Sequence, residues 1–121
     1  MANEDYFLDY LPRVRKAWGP DTSADPAGWT PDNPSWGQDE ITALLLQERL
    51  GGSIIKGSYI TSAGKTGVHV YNDFDGSHFD ATSQQYPRGT VIVKSKATVS
   101  KATLLENRAT VMRFRKIKAR V

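Results

Sequence analysis

The sequence predicts an α+β fold: a buried helix over about residues 36–50, packed on a small antiparallel sheet and followed by a helical C-terminus. Three observations predict it. Ile41, Ala43, Leu44, Leu45, Leu46 and Leu50 cover nearly the whole circumference of a helix, the pattern of one buried on all sides. Ser53 to Ile60 and Gly67 to Phe74 are rich in β-branched and aromatic residues and lie between glycine turns, so both read as strands. From Val99-Ser100 to Arg120 helical spacing returns, with a break expected near Asn107.

The remaining elements follow along the chain. Asn3, with Glu4 and Asp5 behind it, reads as a helix start, because carboxylates favour the positive end of the helix dipole. Phe7, Leu11, Val14 and Trp18 keep helical spacing, and Pro12 within this run predicts a kink or two short pieces. Gly19 to Ser35 holds Pro20, Pro26, Pro31 and Pro34 among aspartates and small residues. It is expected to be a long loop, pinned by Trp29 and Trp36. Ser35-Trp36-Gly37-Gln38 matches a capping box for the central helix, which Gly51-Gly52 should end.

In the second strand, alternation puts Val68 and Val70 on one face and His69 and Tyr71 on the other. Asp75-Gly76 is a hairpin signal. Ser77 to Thr82 should return as a strand, and Thr90 to Val99 should supply one more.

At 121 residues the chain falls in the usual size of one domain, so residues 1–121 are read as a single unit. About two-thirds of the unfolded surface can be buried at this length. The apolar fraction, 39%, is modest, but three Trp, five Tyr and four Phe provide large core pieces. There is no cysteine. That removes disulfides, thiolate metal sites and thiol nucleophiles, and it fits a reducing, cytoplasmic setting. The acidic N-terminus lacks the apolar stretch of a secretory signal. The longest apolar run, Ile41 to Leu46, is far short of a membrane span.

Charge is unevenly placed: six cations and no acids lie from Arg108 onward, against ten cations and thirteen acids before it. Arg113, Arg115, Lys116, Lys118 and Arg120 therefore form a candidate nucleic-acid patch. No base-reading motif accompanies them. The simpler reading is the solvated face of a helix that packs Phe114, Ile117 and Val121 inward.

A helix start, a strand bearing His69 and a strand bearing Asp80 come in the order used by papain-like thiol hydrolases. There a nucleophile at a helix N-terminus gains from the dipole, a histidine on the sheet takes its proton, and a carboxylate fixes the imidazole tautomer. The residues become specific at Trp29-Thr30-Pro31, Asn33-Pro34-Ser35, Gly37-Gln38, Thr42-Ala43-Leu44 and Gly51-Gly52. His69, Tyr71-Asn72, Asp75-Gly76, Asp80-Ala81-Thr82, Gln85-Tyr86, Val99-Ser100 and Leu104-Leu105-Glu106-Asn107 follow in order. Over roughly residues 18–121 this pattern resembles the YunG family.

The resemblance implies a papain-like, cysteine-hydrolase-like domain in which His69 and Asp80 hold the histidine and aspartate positions. The family pattern has Gly-Gln-Cys where this chain has Gly37-Gln38-Asp39, and Val91 to Thr98 looks longer than in the family. The expectation is a non-catalytic protein with a remnant Asp39, His69 and Asp80 site. It would bind a protein or small molecule through Trp29, Trp36, Gln38, Tyr71 and Asn72. Its size suits an accessory or phage-type protein acting on a host factor. A small hydrolase or transferase using Asp39 is the first alternative, and nucleic-acid binding by the tail the second.

No cofactor is expected. A metal on Asp39, Glu40, His69 and Asp80 would need a ligand spacing that the sequence does not show. The plain reading of Asp39 is a helix-start carboxylate worth a few tenths to about 1 kcal/mol. If Asp39 and Asp80 flank His69, their charges favour the imidazolium. His78, beside the turn, is expected to be an exposed polar residue.

Overall fold

The computed structural model describes residues 2–121, with side chains from Asp9 onward. The first helix, α1, runs Ala2–Ala17 and continues through Pro12, so of the expected kink or two short pieces the division into two does not occur. Val14, Ala17 and Trp18 are buried, while Leu11 packs at the core margin. The side chains of Asn3, Glu4, Asp5 and Phe7 lie outside the described residues.

Gly19 to Ser35 has more structure than a plain loop: a 3-10 turn at Pro20–Thr22 and an isolated bridge between Thr30 and Asn33. Both tryptophans pin it. The Trp29 indole N–H donates to the Pro34 carbonyl (2.9 Å), and that of Trp36 donates to Asp25 (3.1 Å). The far end is held by Gln85, whose carbonyl accepts from the Asn33 amide (2.8 Å) and whose side chain accepts from Gly37 N–H (3.1 Å).

The central helix, α2, is Asp39–Leu50 and begins three residues later than expected. The capping box is not used. Ser35 is fully buried and gives its hydroxyl to Asn33, and Gly37 turns the chain at a φ of +73°, so helical geometry begins only after Gln38. A Cβ at Gly37 would also run into the Ser23 hydroxyl. Ile41 through Leu46 are all buried, as the apolar circumference requires. Gly51 and Gly52 both adopt positive φ and end the helix, and a Cβ on Gly52 would collide with the Asp73 carbonyl.

The sheet is antiparallel, with β1 Ser53–Ile60 at its centre. β2, Thr66–Phe74, pairs along the whole of β1, and β3, Ser77–Phe79, returns beside β2 through the Asp75-Gly76 turn. The expected last strand is two short ones, β4 Val91–Val93 and β5 Thr98–Val99, both on the other side of β1. Lys94 to Lys96 break the pairing between them, with Ser95 N–H donating to the Tyr71 hydroxyl (3.3 Å), and Ala97 rejoins β1 by accepting from Lys56 N–H (2.9 Å).

α3, Lys101–Leu104, and α4, Arg108–Arg120, end the chain. Each is capped as its sequence invites: Ser100 accepts from Thr103 N–H and Asn107 accepts from Thr110 N–H. α2 packs on β2 and β1 and against α4. One apolar cluster joins Val14 and Trp18 with Leu44, Leu46, Ile54, Val70, Phe114 and Ile117. The basic tail is therefore anchored by its apolar side, as the spacing predicted. No helix among the described residues is long and apolar enough to cross a membrane.

Candidate functional site

The site forms where the first turn of α2 meets the edge of β2. Asp39 opens the helix, and its Oδ2 accepts a hydrogen bond from the Val70 backbone N–H at 3.0 Å. That amide points away from β1, so the carboxylate takes the place of a neighbouring strand. His69, one residue earlier, is 0% exposed.

Both ring nitrogens of His69 have partners. Nε2 lies 2.6 Å from Asp80 Oδ2, just beyond β3. Nδ1 lies 2.8 Å from the Tyr86 hydroxyl and 3.7 Å from Asp39 Oδ2. The second Asp80 oxygen accepts from Thr82 N–H (3.2 Å), which fixes the carboxylate. Asp39 and Asp80 thus stand on opposite sides of the imidazole, but the nearer group at Nδ1 is a phenol.

Burial shapes the titration of the groups around His69. It raises the Asp39 pKa above the ordinary carboxylate value, and Asp80 adds to this, while His69 and the Val70 N–H pull it down. Glu40, next along α2, is raised by burial and then by the charge of Asp39. Tyr86 is pushed strongly up, first by burial and then by the negative charge of Asp39, so its hydroxyl keeps its proton. A protonated Tyr86 donates to Nδ1 while Nε2–H donates to Asp80. If both ring nitrogens carry protons, the same two groups accept them.

Aromatic rings frame the imidazole. Tyr86 meets it edge-on with centroids 5.1 Å apart and stacks on Tyr59 at 4.2 Å, while Tyr71 lies on its other side at 5.9 Å. His78, on an exposed stretch of β3, contacts Tyr71 at 5.2 Å. Tyr86 and Tyr59 were not among the residues expected here. Tyr86 comes seventeen residues after His69, in a loop without strand pattern, and only its place in the resemblance marked it out.

The residues expected to meet a ligand divide into two groups. Trp29 and Trp36 are partly exposed and held at the surface by their indole hydrogen bonds. Gln38, Tyr71 and Asn72 are buried and committed to their own chain. Gln38 donates to the Gly19 carbonyl (2.9 Å) and accepts from the Thr22 hydroxyl (2.8 Å). Asn72 donates to the Ala43 carbonyl (3.0 Å).

The tail cations divide similarly. Arg120 grips Asp21 and the Ala17 carbonyl, Lys118 pairs with Glu48, and Arg113 donates to Thr110. Arg115 and Lys116 are exposed. No group of three or more His, Asp or Glu side chains placed to hold a metal ion occurs among the described residues.

The family described as YunG protein matches residues 7–121. A Bacillus subtilis (strain 168) protein named "Uncharacterized protein YunG" is 34% identical over 73 residues, 60% of this chain and 56% of that protein. The chain thus spans little more than half the length of the curated relative it matches. No solved structure matches. With nearly its whole length covered by the family pattern, the chain belongs to the YunG family.

Proposed function

We propose that this chain is a non-catalytic binding domain on a papain-like, cysteine-hydrolase-like scaffold, with Asp39 at the position of the nucleophile. One observation carries the reading: His69 has no exposed surface, and both of its ring nitrogens are occupied by Asp80 and Tyr86. A general base needs a nitrogen within hydrogen-bond reach of a substrate proton or one water away from it. Here Tyr86 stands in that place.

Two features support the scaffold part of the reading. A helix-start side chain faces His69 Nδ1 and a carboxylate holds Nε2, the order of parts in a nucleophile, histidine and orienting acid. The chain has no thiol to complete it. Asp39 is itself spent on Val70 N–H, and burial makes it a reluctant anion. The partly exposed Trp29 and Trp36 are locked by hydrogen bonds before any partner arrives, which reduces the ordering cost of binding.

The test is a turnover screen with chromogenic carboxylic, phosphate and glycoside esters, run on the parent and on Asp39→Asn. The expected result is the same background rate for both. Turnover by the parent that Asp39→Asn abolishes, with the fold intact, would refute the proposal in favour of a carboxylate nucleophile.

A further inference from the structure

The sheet has a face that its helices cover only in part. Register shows this row by row, since paired residues of an antiparallel sheet project to the same side. Under α2 lie Ile54 with Asn72 and Val99, then Val70 opposite Lys56. The next row is Val93, Ser58 and Val68, and the last is Val91, Ile60 and Thr66. Along these rows Val70 is 4% exposed, whereas Val68 is 58% and Val91 60%. Among the described residues, four of the five exposed large hydrophobic side chains, Ile60, Val68, Val91 and Val93, share this one end of one face. Single exposed apolar residues are ordinary, but a contiguous group of them marks an interaction surface.

Where the covered and uncovered parts meet there is a groove of about 270 Å³, with Val68, Val70, Val99 and Leu104 as its apolar wall. That is just below the size of most small-molecule sites and suits an anchoring side chain. Lys56 stands in the groove and is exposed. Among the described residues no carboxylate lies within ion-pairing distance of it, and the ion pairs they make are made elsewhere. The groove's one acid, Glu40, accepts from the Thr110 hydroxyl (3.5 Å) and feels the charges of Arg113 and Lys56 without forming an ion pair with either.

We infer that this uncovered sheet end, from the Lys56 groove across Val68 and Val93 to Ile60 and Val91, docks an amphipathic helix of a partner protein bearing an acidic residue for Lys56. A sheet face with helices over part of it is completed by another helix over the rest. An apolar stripe with one anchor in a groove is how such helices bind. The inference rests on the binding role proposed above but uses the face of β2 opposite His69.

The probe is a phage-displayed library of random linear peptides, selected on the immobilised full chain. Selected peptides should carry apolar residues at helical spacing and at least one Asp or Glu. Val68→Lys and Lys56→Glu should each weaken them by about tenfold or more, and a second selection on Lys56→Glu should switch to basic peptides. Both substitutions sit at exposed positions, so unchanged melting would certify the fold.

Peptides that bind both variants as they bind the parent, or that lack acidic residues, would overturn the inference. So would a concentration-dependent dimer of the chain that Val68→Lys dissolves, since the occupant would then be a second copy. Cleavage of a bound peptide would instead refute the non-catalytic reading and leave the docking surface standing.

Discussion

Replacing Asp39 in two ways separates its charge from its hydrogen bond. Asp39→Asn keeps an oxygen for Val70 N–H and removes the charge, whereas Asp39→Ala removes both. An unpartnered buried donor costs about 1–3 kcal/mol, so Asp39→Ala should be less stable than Asp39→Asn by about that amount. Against the parent, the pH dependence matters. A carboxylate whose folded pKa is raised binds its proton more tightly when folded, so it destabilises the fold once it ionises.

Stability from this group is greatest below its unfolded value of 3.8 and is lost as pH rises through the higher folded value. Asp39→Asn should therefore be as stable as the parent or more so at neutral pH. Its advantage should shrink as pH falls towards 3.8. Denaturant unfolding of the three proteins across pH, followed by far-ultraviolet circular dichroism, measures all of this. Equal losses in Asn and Ala at neutral pH would refute the reasoning, because the Asp39 charge itself would then be what holds the site.

Two further outcomes test the packing around α4. Ile117 is fully buried, so Ile117→Ala should cost about 2–5 kcal/mol in denaturant unfolding, and a smaller loss would mean the tail is not part of the core. The Arg120 pair with Asp21 is exposed, so Asp21→Asn should cost no more than about 1 kcal/mol, less at high salt. Arg120 lowers the Asp21 pKa, so that contribution is present above 3.8 and fades as acid titrates the folded carboxylate; a loss that grows with salt would contradict it.

The elements legible in the sequence were those set by local spacing. The apolar circumference of α2, the glycine pair that ends it, the Asp75-Gly76 turn and the break at Asn107 all appear where short-range chemistry put them. The start of α2 was not legible. A capping box and a tight turn share the Ser35 to Gln38 composition, and Thr22, Gly19 and Gln85 decide between them from a distance.

The same limit applies to the site. Asp39, His69 and Asp80 could be picked out by residue type and by their order along the chain. That Tyr86 fills the space at Nδ1, and that Gln38 and Asn72 turn inward, depends on loop paths that no periodicity encodes.

The contact between Asp39 and Val70 N–H has a consequence for assembly. β3 pairs only with Asn72, Asp73 and Phe74 of β2, so the edge of β2 before them has no strand beside it, and at its exposed end, Thr66 to Val68, a stray strand could pair. Asp39 occupies the Val70 amide on that edge, beside exposed Val68, so that donor is not free for an incoming strand's carbonyl. One side chain thereby ends the sheet. A substitution that removes the Asp39 carboxylate oxygens, as Asp39→Ala does, would leave the Val70 amide at that edge without its partner.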